Sequence, residues 1–287
     1  SVLHATVARL AGQLGEVPVP VATRPGQPWV GLTSRFAVHV AHDEASRARI
    51  HVEAGRLLWA ARFRLPVPEV VECGSGWLLT TRAPNHEPLP DGRYVAAAID
   101  GARMISGVPT PPPDLYGRHP AHGGSRRVGA VRLARLLRSP IRPSEFRMLR
   151  RSVGQLARDR LAHGDFHPRN ILFDRARGSV VVIDWEFLSY QPANYDLCLL
   201  WPRLPSASDR DAVLEAALDD APDLASLGLL HRWLAVRYLA DLVTKTAAQQ
   251  WDKGCIALAV ARVVEARVNA ATWSPRPGSV DGADPAS

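Results

Sequence analysis

Leu3, Val7, Leu10 and Leu14 recur at helical spacing near the start of the chain, and the repeat predicts a helix over residues 3–14. The pattern then changes to short β-rich runs. Val17–Thr23, Trp29–Thr33 and Arg35–Ala41 read as three strands, with Arg24-Pro25-Gly26-Gln27-Pro28 as the turn between the first two. Asp43 stands where a cap belongs, ahead of a long helical pattern that runs to Phe63. Two more strands, Val67–Cys73 and Trp77–Thr81, meet at Gly74-Ser75-Gly76. This order predicts a small antiparallel sheet carrying one helix.

From Arg82 the texture shifts. Residues 83–90 contain three prolines and read as a hinge or linker. Residues 92–107 are helical in pattern, and 109–124, with prolines at 111, 112 and 113, form a loop. Helices are expected over 128–138 and 143–160. Ile171–Phe173 and Val180–Ile183 are short β-rich runs around the turn Asp174–Gly178. Helices return over 208–218, with Ser208 as cap, and over 223–249 and 253–271. The segment 274–287, rich in Pro, Gly and Asp, is expected to be disordered. The fold class is α+β, with a first lobe over 1–82, a second over 83–273 and a tail.

Composition changes little in this picture. Of 287 residues, 46% are hydrophobic and 22% charged, which suits packed cores rather than a disordered chain. No apolar run approaches bilayer length, and the first residues lack the layout of a signal peptide. Cys73, Cys198 and Cys255 form no CxxC pair, so a reducing cytoplasm is expected. The formal charge is +7, and arginines crowd residues 118–151. A solvated helical face with biased codon use is the plain reading of that crowding, and an anionic partner or substrate is the functional one. Nucleic-acid binding does not fit, because no aromatic residues interleave with the arginines.

The candidate chemistry lies in His163-Gly164-Asp165-Phe166-His167-Pro168-Arg169-Asn170 and in Ile183-Asp184-Trp185-Glu186. If the two β-rich runs pair as a hairpin, Asn170 before the first and Asp184 after the second come to the same end, with Asp165 close by. Asp165 is suited to accept a proton from a hydroxyl. Asn170 and Asp184 offer oxygen ligands suited to magnesium rather than zinc. Together they suit phosphoryl transfer. Glu186 stands either as an acid behind the site or as a metal contact, and His167 as a site or a turn residue. His163, Asp165 and His167 also alternate in a way that could suit a zinc or di-iron hydrolase. That site would need further ligands, for which only His119 and His122 are at hand.

His-Gly-Asp-x-His-x-x-Asn followed by Ile-Asp-Trp-Glu resembles the aminoglycoside phosphotransferase and choline kinase group, relatives of the protein kinases. The resemblance implies a bilobal kinase-like fold, with a nucleotide (ATP or GTP) and Mg2+ between a small sheet lobe and a larger helical lobe, near a hinge at Thr80, Thr81 and the residues after them. It implies Asp165 as catalytic base and Asn170 and Asp184 as metal ligands. It also implies His163 as a brace of the catalytic loop, a catalytic residue alongside Asp165. Asp196, in Asn194-Tyr195-Asp196, matches a family Asp that holds the loop backbone.

One expected partner is missing. Kinase-like folds carry a lysine on the third strand for the nucleotide phosphates, paired with a Glu on the next helix. Here Ala37-Val38-His39 occupies the place of Ala-x-Lys, and no lysine precedes Lys245. Ala37 would roof the base, and His39 stands where the lysine belongs. Glu53 is the expected helix partner. A protonated His39 or Arg35 would then supply the cation. Two functions follow: an active small-molecule phosphotransferase with an altered clamp, or a binding protein that kept the fold without turnover. Retention of Asp165, Asn170 and Asp184 together favours the first.

The acceptor is expected to be a small hydroxylated molecule held by the C-terminal helices. Asp219, Asp220, Asp223, Asp241 and Asp252 are too dispersed for a polycation site. Trp233, Tyr238 and Trp251 are candidates for an aromatic wall, with core packing as the plainer role of each. The basic balance favours a neutral or anionic acceptor.

Overall fold

Val2–Leu14 is helical as its repeat predicts (α1) in the computed structural model, which describes residues 2–21, 27–83, 92–109 and 143–242. Its apolar stripe covers one face of a five-stranded antiparallel sheet. The strands are β1 (Val19–Val21), β2 (Trp29–Leu32), β3 (Phe36–Val40), β4 (Val70–Gly74) and β5 (Trp77–Thr81), in the order β1-β2-β3-β5-β4. Leu10, Val38, Val40 and Leu79 form the buried centre of this layer, with Leu3, Val7, Leu14, Trp29, Phe36 and Trp77 packed around it. Strand alternation then turns Ala37 and His39 to the opposite face.

α2 (Glu44–Arg62) begins at Asp43, whose side chain accepts from the Ser46 N–H while the Ser46 hydroxyl accepts from the Asp43 N–H. This reciprocal cap satisfies two donors that a helix start leaves open. β4 begins at Val70, three residues later than its apolar run suggests. Pro66 and Pro68 have no N–H for a ladder, and the Val67 N–H turns back to Leu65 O.

The second lobe is built on α3 (Gly92–Ser106), which packs on β6 (Arg160–Ala162), β7 (Ile171–Asp174) and β8 (Ser179–Val182). Gly101 permits that approach, since a Cβ there would lie 3.1 Å from Val180 Cγ2. β9 (Ser189–Gln191) pairs with β6, and α5 (Tyr195–Leu200) and α6 (Ala207–Asp219) follow. α4 (Pro143–Gly154) stops well short of residue 160, because Arg160–Ala162 is drawn into the β6–β9 pair. The cap of α6 is Ser206, not Ser208. α7 (Leu224–Leu242) is the last described element. Among the described residues no helix is long and apolar enough to cross a membrane.

The described residues form two compact units. One holds residues 2–109 and 157–220, and the other 143–156 and 221–242. The expected division after residue 82 therefore falls inside the first unit. There α2 packs on the short 3-10 turn Trp185–Phe187, and the buried Arg56 donates to Trp185 O at 2.6 Å. In the second unit α4 packs on α7, with the rings of Phe146 and Trp233 5.6 Å apart. The predicted helices over 128–138 and 253–271, and the 274–287 tail, lie outside the described residues.

Candidate active site

The hairpin that the motif needs is present. β7 and β8 pair from Ile171 opposite Val182 to Asp174 opposite Ser179. The Ile183 N–H donates to Asn170 O at 2.9 Å, which carries the pairing one step further. Asn170 and Asp184 therefore leave the hairpin at the same end. Asp174 closes the other end by accepting from the Ala176 and Arg177 N–H groups.

The loop before the hairpin is held by one carboxylate. Asp196, buried in the first turn of α5, accepts from the His163 N–H at 2.7 Å and the Gly164 N–H at 3.0 Å. Gly164 has φ +84, and a Cβ there would lie 2.3 Å from Phe187 O. Only glycine fits that turn. Burial pushes the Asp196 carboxyl up to about 7, against the pull of the two N–H donors.

A carboxyl raised on folding stabilises the fold while protonated, and that stability is lost as pH rises through its folded value. Asp196→Asn should therefore cost most near pH 4 and less toward pH 7. The gap from wild type should narrow steadily as pH rises across that range. Urea midpoints across that range check this; a gap that stays constant or widens contradicts it.

His163 is fully buried, with Nε2 3.1 Å from Ile183 O and its ring edge-on to Trp185. Burial pushes it down to about 4, so it is neutral at physiological pH. Its ring ties the loop to the end of β8, and the residue is closed off from solvent.

Asp165 Oδ2 receives Asn170 Nδ2 at 3.1 Å and lies 3.3 Å from His167 Nε2. The Arg169 N–H donates to His167 Nδ1, so the imidazole proton sits on Nε2 and points to Asp165. Burial raises the Asp165 pKa, but the hydrogen bond and proximity of His167, with His163 and Arg203 farther off, outweigh it. The carboxyl is held below its ordinary value. Both contacts fall on Oδ2 and neither on Oδ1. Asn170 Nδ2 also donates to Asp165 O, so Oδ1 of that amide is free of either bond. Asp184 is exposed and has a left-handed backbone, φ 64 and ψ 64, which Asp tolerates better than most residues.

Asn170 and Asp184 carry hard oxygen donors, the type that magnesium prefers to nitrogen or sulfur. Among the described residues no group of three or more His, Cys, Asp or Glu side chains is placed to hold a metal ion. His163 is turned to a backbone carbonyl, so the zinc arrangement lacks its first ligand. His119 and His122 lie outside the described residues.

On the sheet, His39 Nδ1 lies 3.6 Å from Glu53 Oε2, the pairing expected of strand and helix. Cross-strand partners place Val19 and Leu32 on the face of Ala37, and Thr80 opposite Ala37. Val19 and Leu32 reach this face only through the β1–β2–β3 register, which no local pattern carries. Thr81 pairs with Phe36 on the other face, and its hydroxyl accepts the Glu69 N–H. Alternation thus separates Thr81 from Thr80. The Arg35 guanidinium lies over the Phe36 ring and within electrostatic reach of Glu16. It is not brought to His39.

Two arginines of α2 are additions to the expected set. Arg56 holds Trp185 O, and Arg49 Nη1 lies 3.2 Å from Glu186 Oε2. Burial raises the Glu186 carboxyl, with Arg49 opposing and Asp165 and Glu53 adding to the rise. The steps of four and three from 49 to 53 to 56 put these side chains on one helix face, a signal visible in the sequence. Of the acids considered for the acceptor, Asp220 pairs with Arg103 at 2.6 Å. Asp223 accepts from the Ala225 and Ser226 N–H groups at the start of α7. Trp251, Asp252 and the side chains of Tyr238 and Asp241 lie outside the described residues.

A sequence model of the phosphotransferase enzyme family matches residues 27–230, well over half of the chain. No curated protein matches it in sequence. Among solved structures, a choline/ethanolamine kinase family protein from Mesorhizobium loti aligns at TM-score 0.57 and 16% identity, over 94% of this chain and 99% of that one. A macrolide 2'-phosphotransferase from Brachybacterium faecium aligns at 0.53 and 17%, over 96% and 99%. An aminoglycoside phosphotransferase from Streptomyces rimosus, in complex with ADP and streptomycin, aligns at 0.51 and 19%, over 82% and 97%. At these identities the likeness establishes the bilobal kinase-like fold.

Proposed function

Because this chain belongs to the phosphotransferase enzyme family, we propose that it moves the γ-phosphate of ATP or GTP to a hydroxyl of a small molecule. The observation that carries the proposal is Asp165. Its carboxyl is held below the ordinary range, and its Oδ2 is engaged by Asn170 and His167, so Oδ1 remains to receive a proton.

The chemistry balances simply. The acceptor hydroxyl oxygen forms the new bond to the γ-phosphorus, its proton passes to Asp165 Oδ1, and the bond to the β–γ bridging oxygen breaks to release the diphosphate. Asn170 Oδ1 and the Asp184 carboxylate would hold Mg2+. Bound there, Mg2+ neutralises charge on the phosphate oxygens. Asp196, Gly164 and His163 keep the loop in place, and Ala37 with Val19 and Leu32 offers an apolar roof for the base. Catalysis is then positioning and charge stabilisation, which this reaction mainly requires.

The similar structures are named for different acceptors, macrolides and aminoglycosides among them, so none is carried over. The +7 charge and the engagement of Asp220 and Asp223 favour a neutral or anionic hydroxylated acceptor over a polycation. The described cysteines, Cys73 and Cys198, are free thiols, which supports a reducing compartment such as the cytoplasm.

His39 in place of lysine favours the second function, a binding protein without turnover. Thermal unfolding with millimolar Mg-ATP and Mg-GTP tests the nucleotide site. The expected result is a rise in the midpoint with at least one nucleotide, by mass action. No rise with either overturns the phosphotransferase proposal.

A further inference from the structure

A nucleotide's phosphates need a cation. Arg203 acts electrostatically on Asp165 but gives Nη1 to Leu199 O, and three other cations lie on or near the sheet and α2. Arg35 lies on the Phe36 ring, on the wrong side of the sheet. Arg56 is buried, with a donor on Trp185 O. His39 is short, lies against Glu53, and carries charge only when protonated.

Arg49 differs from all three. It stands one helical turn before Glu53, on the same face of α2, and its guanidinium is half-exposed. Its partner Glu186 follows the metal-ligand candidate Asp184 by two residues. Glu186 also lies within electrostatic reach of both Asp165 and Glu53. The guanidinium is therefore delivered to the charged centre, and one of its five donors suffices for Glu186.

Resting on the phosphotransferase reading above, we infer that Arg49 replaces the missing strand lysine and grips the nucleotide phosphates from α2, with Glu186 as the acid that holds it in place. The ion pair of the kinase-like clamp is thereby rebuilt with its polarity reversed. The cation comes from the helix, and the acid comes from the loop that carries the metal ligand. Arginine suits the task, since its planar fork can meet a carboxylate and a phosphate at once.

The test separates phosphate binding from base binding. Affinities of ADP and GDP with Mg2+, and of adenosine and guanosine, are measured by calorimetry for wild type, Arg49→Gln and His39→Gln. Arg49→Gln should weaken the diphosphate by about 10- to 100-fold and the nucleoside by no more than about twofold. His39→Gln should weaken the diphosphate by less than about threefold. Equal binding by Arg49→Gln and wild type overturns the inference, as does equal loss of diphosphate and nucleoside, which marks a structural role. If wild type binds no nucleotide, the inference falls together with the reading it rests on. Failure at Arg49 alone, in a protein that binds ADP or GDP, leaves that reading standing.

Discussion

Asp165→Asn should lower phosphoryl transfer by about 10²- to 10⁴-fold while leaving thermal stability near that of wild type. The amide is nearly isosteric with the carboxylate. Its oxygen can still accept from Asn170 Nδ2 and His167 Nε2, the two contacts that Asp165 makes through Oδ2. The fold of the loop depends on Asp196 and Gly164 instead. What the substitution removes is the oxygen proposed to take the hydroxyl proton. The remaining rate comes from nucleotide and acceptor positioning, which the change leaves in place. A loss of turnover matched by an equal loss of folded protein would contradict this division of roles.

Gly164→Ala should act in the opposite sense, through the fold first. The φ of +84 costs an L-residue about 1–2 kcal/mol. The new Cβ would meet Phe187 O at 2.3 Å, and that carbonyl is fixed by the Ser189 hydroxyl at 3.0 Å. Relief requires backbone movement, which adds about 1–3 kcal/mol. A total loss of about 2–5 kcal/mol is a large share of the stability of a typical domain. Activity should fall further than the folded fraction, because Asp165 is the next residue and moves with the loop. Urea denaturation and specific activity of the folded fraction check both parts. Wild-type stability in Gly164→Ala would contradict the close approach to Phe187.

The contrast shows which features are legible in a sequence. The hairpin was, because the β-rich runs at 171–173 and 180–183 flank a turn, and its pairing alone brings Asn170 beside Asp184. The His39–Glu53 pair was legible only through the family resemblance, which implies a Glu on the helix that follows the strand. β6 and β9 were not. Each is three residues long and exists only through pairing with the other, a contact that no local pattern announces. The polarity of Arg35 also escaped. Alternation places its Cα on the face of Ala37, but the long side chain reaches round to stack on Phe36. Arg49 and Arg56 showed their spacing in the sequence, yet their partners lie more than a hundred residues away on the 3-10 turn. Local periodicity reveals which face a residue occupies. Tertiary contact decides what it meets there.

The most direct measurement is transfer of labelled γ-phosphate from ATP or GTP, with Mg2+, to a panel of neutral and anionic hydroxylated compounds, comparing wild type with Asp165→Asn. Labelled product from wild type, abolished or reduced at least about a hundredfold by Asp165→Asn, is the predicted result. Nucleotide binding with no labelled product across the panel and no hydrolysis, or equal labelling by both proteins, would contradict it.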